Sequence, residues 1–371
     1  MKSTVITSYE ELAEHEDRWE VLRRECRGTV FSSNYLTQAW FKANEASAAP
    51  RVILIEDKGE LVGVAPLTTY RYKVAGIPVK MLALAGEMKD RLRLSTTQVL
   101  YPQGRADVLH EIIDQIKRLD WGMMTTINLE SNRATKDFLE AVRGKWFTTE
   151  FPQGQKLTLT LPAEGDITQN FNFNARRNLK KNLRRMERAG HTIELKRLAA
   201  EDIDRAVDVY TQQHIERWAS KGGSYFRNPE NPGFLREAVM AAYKRDVGFA
   251  YELLIDGQIA SQRFGFFDGD RAYGYRFGMN NALMDHSPGW LMNYYFFNEL
   301  RDKGYTTLVI GAGTESYKYE MGGEVTPLIG VRASRGVVSL MNRVLMSPFM
   351  QRLDDRFGLT NKVVKTGSET D

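Results

Sequence analysis

Four stretches of the chain carry side chains able to move protons or hold anions. His214 lies in a helical pattern with Trp218 one turn later on the same face, and an imidazole has the pKa range of a general base. Ser287-Pro288-Gly289-Trp290 reads as the start of another helix. Serine is a good N-cap, proline at the first helical position loses no needed donor, and glycine lets a ligand approach the backbone. Free N–H groups and the positive end of the helix dipole then face an anion. Glu315, Tyr317 and Lys318 fall in a loop with Gly311, Gly313, Gly322 and Gly323. There a carboxylate offers a base or a clamp, a phenol a donor and an ammonium a positive charge. Arg276, beside Phe277 and among Tyr273 and Tyr275, suits bidentate bonding to a carboxylate or phosphate. Each also has a purely structural reading: a satisfied half-buried histidine, a plain helix start, a buried arginine–carboxylate pair, a strand edge or a turn.

The elements that must place these residues follow from hydrophobic period and turn chemistry. In the first half, helices are predicted at 8–26 and 36–44, then a hairpin turning at 57–60, strands at 79–84 and 97–101, a helix at 105–119, a strand at 124–129 and a helix at 133–142. The second half begins with a strand at 156–162. A basic helix and a strand at 192–196 precede helices at 201–219 and 233–245. A three-strand meander follows, turning at Asp256-Gly257 and Asp268-Gly269-Asp270. A helix at 288–303 and strands at 305–310 and 325–331 complete it. VILIEDKGELVGVAPL and AYELLIDGQIASQRFG look like one hairpin used twice, which points to a duplicated α+β domain.

The 371 residues suit two compact domains, and 42% apolar with 26% charged residues fits neither a disordered nor a membrane-embedded chain. Between Arg176 and Arg188 seven basic residues stand against one acid, a local +6 that leaves −2 of the overall +4 for the rest. A single basic element on a near-neutral body argues against a DNA-coating protein. Ala175, Leu179, Leu183 and Met186 give that element an apolar stripe, and Gly190 suits its C′ position. Its outer face is either solvated or binds a phosphate-rich ligand, anionic lipid or tRNA. The lone Cys26 excludes an intramolecular disulfide, and no Cys/His spacing suggests a metal, so a reducing compartment with no metal site is expected. Neither a signal-type apolar region nor a run of about 18 apolar residues is present, so the expected location is cytoplasmic. Phosphate-binding lysine loops, dinucleotide fingerprints and nucleophile elbows are absent from the sequence.

Several stretches resemble the tandem GNAT acyltransferases, a group that includes the cellulose-biosynthesis-type acetyltransferases and, more distantly, the Fem-type aminoacyl-tRNA-dependent transferases. They are NARRNLKKNLRRMERAG, HIERWASKGG, DGQIAS, HSPGWLMNY and GTESYKYEMGG, which together span most of 155–332. The resemblance implies two tandem GNAT-like domains, at 1–154 and 155–335, followed by an amphipathic C-terminal helix and tail at 336–371. It implies catalysis in the second domain, with the first shaping the acceptor cleft. The donor it implies is an acyl-CoA and the acceptor an amine, such as a sphingoid-type lipid amine or an envelope amino sugar. Arg276, Phe277, Ser287, Pro288, Gly289 and Trp290 would hold the CoA thioester. His214 or Glu315 would serve as base, Tyr317 would protonate the departing thiolate, and Lys318 would hold an anionic group. The Q/R-x-x-G-x-G/A loop of acetyl-CoA-binding domains is here ALMDHSPGW, with Gly289 alone. A Fem-like transfer from aminoacyl-tRNA and a non-catalytic subunit of an envelope-biosynthesis complex are the other readings. Met and Phe with nearby arginines in the tail suit either packing on the body or an anionic membrane surface.

Overall fold

The computed structural model describes residues 1–345 except 75, 90, 131, 221 and 312–318. Two compact units divide the chain: residues 1–89, 93–154 and the stretch from 327 on form one, and residues 90–92 with 155–326 form the other.

In the first unit, β1 (Lys2–Ile6), β2 (Ala49–Asp57), β3 (Glu60–Val74) and β4 (Ile77–Leu84) run antiparallel to their neighbours. The β2–β3 turn places Lys58 and Gly59 at φ 53° and 89°, which suits a primed turn between twisted strands. Helices α1 (Glu16–Glu25) and α2 (Asn34–Ala43) precede β2. After β4 the chain crosses over through α3 (Ala106–Arg118) and returns as β5 (Met123–Glu130), parallel to β4 from Met81↔Met123 to Ala83↔Thr125. Then comes α4 (Arg133–Arg143), capped by the Asn132 side chain, which accepts from Thr135 N. The strand expected at 97–101 is reduced to one bridge, Val64↔Leu100.

The second unit repeats this plan. It contains residues 155–160 of β6 (Phe147–Thr160), then α5 (Phe173–Arg188), β7 (Ile193–Arg197), α6 (Ile203–Trp218) and α7 (Glu230–Tyr243). Strands β8 (Gly248–Ile255), β9 (Gln258–Asp268) and β10 (Arg271–Met279) form the expected meander. Helix α8 (Pro288–Asp302) crosses over to β11 (Thr307–Ile310), which lies parallel to β10. Both units thus hold one parallel pair joined through a helix within an otherwise antiparallel set, the duplicated α+β arrangement.

Strand β12 (Glu324–Ser334) begins in the second unit and continues into the first. Its residues Leu328–Ser334 pair antiparallel with β5 of the first unit, whereas β11 pairs antiparallel with β6. Each unit therefore closes its parallel pair with a strand distant in sequence. Each has its own core, around Ile53, Leu82, Ile112 and Val331 in the first and Leu179, Phe249, Phe296 and Leu308 in the second. Helix α9 (Gly336–Leu345) begins the C-terminal segment with Val337 and Leu340 exposed, while Val338 approaches Gly122. The rest of that segment lies outside the described residues. Among the described residues, no helix is long and apolar enough to cross a membrane.

Candidate active site

The parallel pairing of β10 with β11 runs from Arg271↔Thr307 to Gly274↔Ile310 and stops there among the described residues. Strand β10 continues along β9 to Met279, with a bulge between Gly274 and Arg276. The bulge re-aims the β10 side chains that follow it. Arg276 and Phe277 follow directly. The Arg276 guanidinium lies 4.5 Å from the Tyr275 ring centroid and 5.8 Å from that of Tyr225. Tyr275 is buried, and burial pushes its phenol above the usual range, so it stays neutral.

Across the sheet ladder from Phe277, Arg263 on β9 is 4% exposed. Its guanidinium is held between the rings of Phe277 at 4.7 Å and Phe296 at 4.9 Å, and it donates to Asn293 Oδ1 on α8. A Cβ on Gly274 would come within 3.5 Å of its Nη1. A cation this deep is costly unless paired and stacked, and here it links β9, β10 and α8 beside the β10 bulge. Sequence reading missed Arg263 and Asn293. The available signal was an arginine in the otherwise buried run of QRFGFF.

Helix α8 starts where expected, but not as expected. A 3-10 turn over Asn281–His286 leads into Ser287, which sits at the N-cap in the left-handed region with φ 54° and ψ 54°, and its side chain makes no cap hydrogen bond. Its carbonyl instead accepts from Trp290 N and Leu291 N. The expectation of a serine side-chain cap is corrected: the incoming turn sets the backbone so that the hydroxyl cannot reach back. Pro288 occupies the first helical position, as predicted. The close approach at Gly289 is made by the protein itself, since a Cβ there would lie 2.8 Å from Met279 Sδ and 3.6 Å from the Phe277 ring. Trp290 packs against Phe171 at 5.9 Å. With Ser287, Asn178, Asn182 and Glu320 it lines a cleft of about 180 Å³ beside the start of α8.

Helix α5 braces this region. Asn182 Nδ2 donates to the His286 carbonyl over 2.8 Å, and Arg185 donates to the Asp285 carbonyl. Ala175, Leu179 and Met186 are buried with Leu183 packed beside them, so the apolar stripe faces the core as the spacing predicts. Gly190 takes φ 74°, and His191 N reaches back to the Met186 carbonyl, the Schellman closure that a C′ glycine allows.

His214 is 7% exposed within Tyr210, Trp218, Tyr225 and Phe226, with Trp218 stacked at 5.9 Å and 21°. Its Nδ1 lies 2.8 Å from Ser224 Oγ, which also accepts from Phe226 N. The structure brings His214 and Arg276 to the same ring, that of Tyr225. Helix α6 lies against β10 at Gly278, where a Cβ would meet the Tyr210 ring at 2.6 Å. Glu315, Tyr317 and Lys318, with Gly313, lie outside the described residues. Of the neighbouring glycines, Gly322 has φ 75° and would place a Cβ 1.8 Å from the Asn170 carbonyl oxygen, so its freedom serves a turn packed on protein. Among the described residues no His, Cys, Asp or Glu group is arranged to hold a metal ion.

Residues 174–319 match the model described as Acetyltransferase (GNAT) domain. Solved structures extend the likeness over both units. FemX aligns with a TM-score of 0.63 at 12% identity, covering 93% of this chain and 100% of that one. A tandem GNAT protein from the clavulanic acid biosynthesis pathway aligns at 0.51 and 12%, covering 90% and 99%. The fold is that of a tandem GNAT protein. L-PGS from Bacillus licheniformis shares this tandem GNAT fold at 0.51 and 13%, covering 91% and 96%. No curated protein matches the sequence. The GNAT match falls on the second unit and includes β10, β11, α8 and the α5 brace, so this unit is acyltransferase-like.

Proposed function

We propose that the second unit transfers an acyl group from a CoA thioester to an amine. The observation that carries this reading is the β10 bulge between Gly274 and Arg276, with Arg276 and Phe277 just beyond it and the start of α8 alongside. An extended acyl-pantetheine arm is assigned to β10 there. The pyrophosphate is assigned to the start of α8, at Pro288, Gly289 and Trp290, where the helix dipole favours an anion.

Transfer requires a neutral amine to attack the thioester carbon. The C–N bond forms, the C–S bond breaks, the amine loses a proton to a base, and the thiolate takes up a proton. Tyr317 is assigned to the thiolate, and Lys318 and Glu315 to the acceptor's charged and basic interactions. His214, through the Tyr225 ring, is assigned to holding Arg276 in place as a positioning residue. The acceptor proposed is a lipid amine of sphingoid type or an envelope amino sugar, met at the cytoplasmic face of the membrane.

The test is CoA release from acetyl-CoA and from a long-chain acyl-CoA with a panel of amines. Amine-dependent release supports the reading. Release from neither thioester, together with transfer from aminoacyl-tRNA, would replace the donor; failure of both would leave a binding subunit.

A further inference from the structure

On α5, Arg177, Lys181, Arg184 and Arg188 follow one another at +4, +3 and +4, all exposed, on the side of the helix opposite Ala175, Leu179 and Met186. They make a straight ridge of cations about 16 Å long at 1.5 Å per residue. The other cations of α5 are engaged: Lys180 pairs with Asp166 at 2.9 Å, Arg176 donates to the Phe171 carbonyl and Arg185 to that of Asp285. The four on the ridge enter no ion pair among the described residues. One turn before Arg177, the Phe173 side chain is 75% exposed, with the Arg177 guanidinium 5.8 Å from its ring.

We propose that this ridge docks the protein on an anionic lipid surface, with Phe173 entering the headgroup boundary. The ridge is solvent-exposed along its length, and its charge is concentrated on a chain whose remainder is slightly negative. An aromatic beside cations gains from the boundary between headgroups and acyl chains. Double-stranded RNA fits less well. Its major groove is too deep and narrow for a helix, and sequence-tolerant single-strand binders use several stacking rings where this face offers one. The inference does not depend on the identity of the acyl donor, because its test reads binding alone.

The test is sedimentation of the full chain with vesicles of phosphatidylcholine, alone or mixed with phosphatidylglycerol. Binding to the mixed vesicles and not to the neutral ones is expected, falling steeply with salt. Each cation removed should lower partitioning about fivefold. Arg177→Glu with Arg184→Glu should abolish it, whereas the same charge change at the exposed Lys136 and Lys145 of the first unit should not. Phe173→Ser, which leaves charge unchanged, should weaken it several-fold. Vesicle binding that survives the α5 reversal overturns the proposal. So does tighter binding to mixed tRNA that needs the same cations and ignores Phe173→Ser.

Discussion

Arg263 on β9 and Asn293 on α8 are hydrogen-bonded inside the second unit, and both side chains are buried. The bond fixes α8 against the strands at the level of the β10 bulge. Asn293 Nδ2 in turn lies 3.6 Å from Met321 Sδ, so Met321 is tied to the same point.

Replacing Arg263 by Met should fill most of the volume but leave the Asn293 oxygen buried without a donor. We expect a stability loss of about 2–3 kcal/mol by urea denaturation. Loss of the stack on Phe277 should also weaken thioester binding beyond what an equally destabilised core variant shows. Unchanged denaturation would mean that the arginine is incidental to the packing.

His214→Phe distinguishes a positioning role from proton transfer. If the ring only supports Tyr225 and Arg276, turnover should stay within about tenfold, with the loss mainly in KM. A fall of about 10²–10⁴ in kcat with loss of the neutral-pH limb would instead mark a general base. Ser224→Ala, which removes the Nδ1 partner, should cost about 1 kcal/mol of stability in either case.

Two glycines in the left-handed region should respond differently to alanine. At Gly257, with φ 77° and open space around a Cβ, the cost is the backbone alone, about 1 kcal/mol. At Gly322 a Cβ would collide with the Asn170 backbone, so Gly322→Ala should lose more than about 3 kcal/mol or fail to fold. Equal midpoints for the two variants would contradict the packing described for that turn.

Glu87 in the first unit gives a pH signature. Burial pushes its carboxyl well above the usual range, partly offset by the Ile127 backbone and Arg93. The unfolded chain releases this proton near pH 4.3, whereas the folded chain holds it longer. Its contribution is therefore fully present below that value and is lost as pH rises through the folded pKa. Glu87→Gln should stabilise the protein at pH 8 by about 1 kcal/mol or more, with little effect at pH 4. The check is denaturation at both pH values, and a uniform shift would contradict the assignment.

Much of this arrangement was legible in local chemistry. The polar stretch 57–60 and Asp256-Gly257 marked their hairpins, and Gly59 and Gly257 take the positive φ that glycine adopts freely. The apolar stripe of α5 and its closure at Gly190 followed from spacing alone. The pairing of β12 with β5 was not legible, since partners some 200 residues apart leave no local trace. Residues 97–101 have strand composition but meet β3 at a single bridge. Ser287 marked the helix start correctly, yet its backbone conformation is set by the preceding 3-10 turn, which serine propensity does not encode. The Trp218 stack on His214 follows helical spacing, whereas Ser224 arrives from a separate turn.

The central claim is that an acyl thioester lies along β10 beyond Gly274. Amide hydrogen exchange with and without acetyl-CoA and a long-chain acyl-CoA tests this most directly. Protection confined to residues 275–279 and the first turn of α8, with β1–β3 unchanged, is the predicted result. Thioester binding that leaves those amides exchanging as before, or protects the first unit instead, would contradict it.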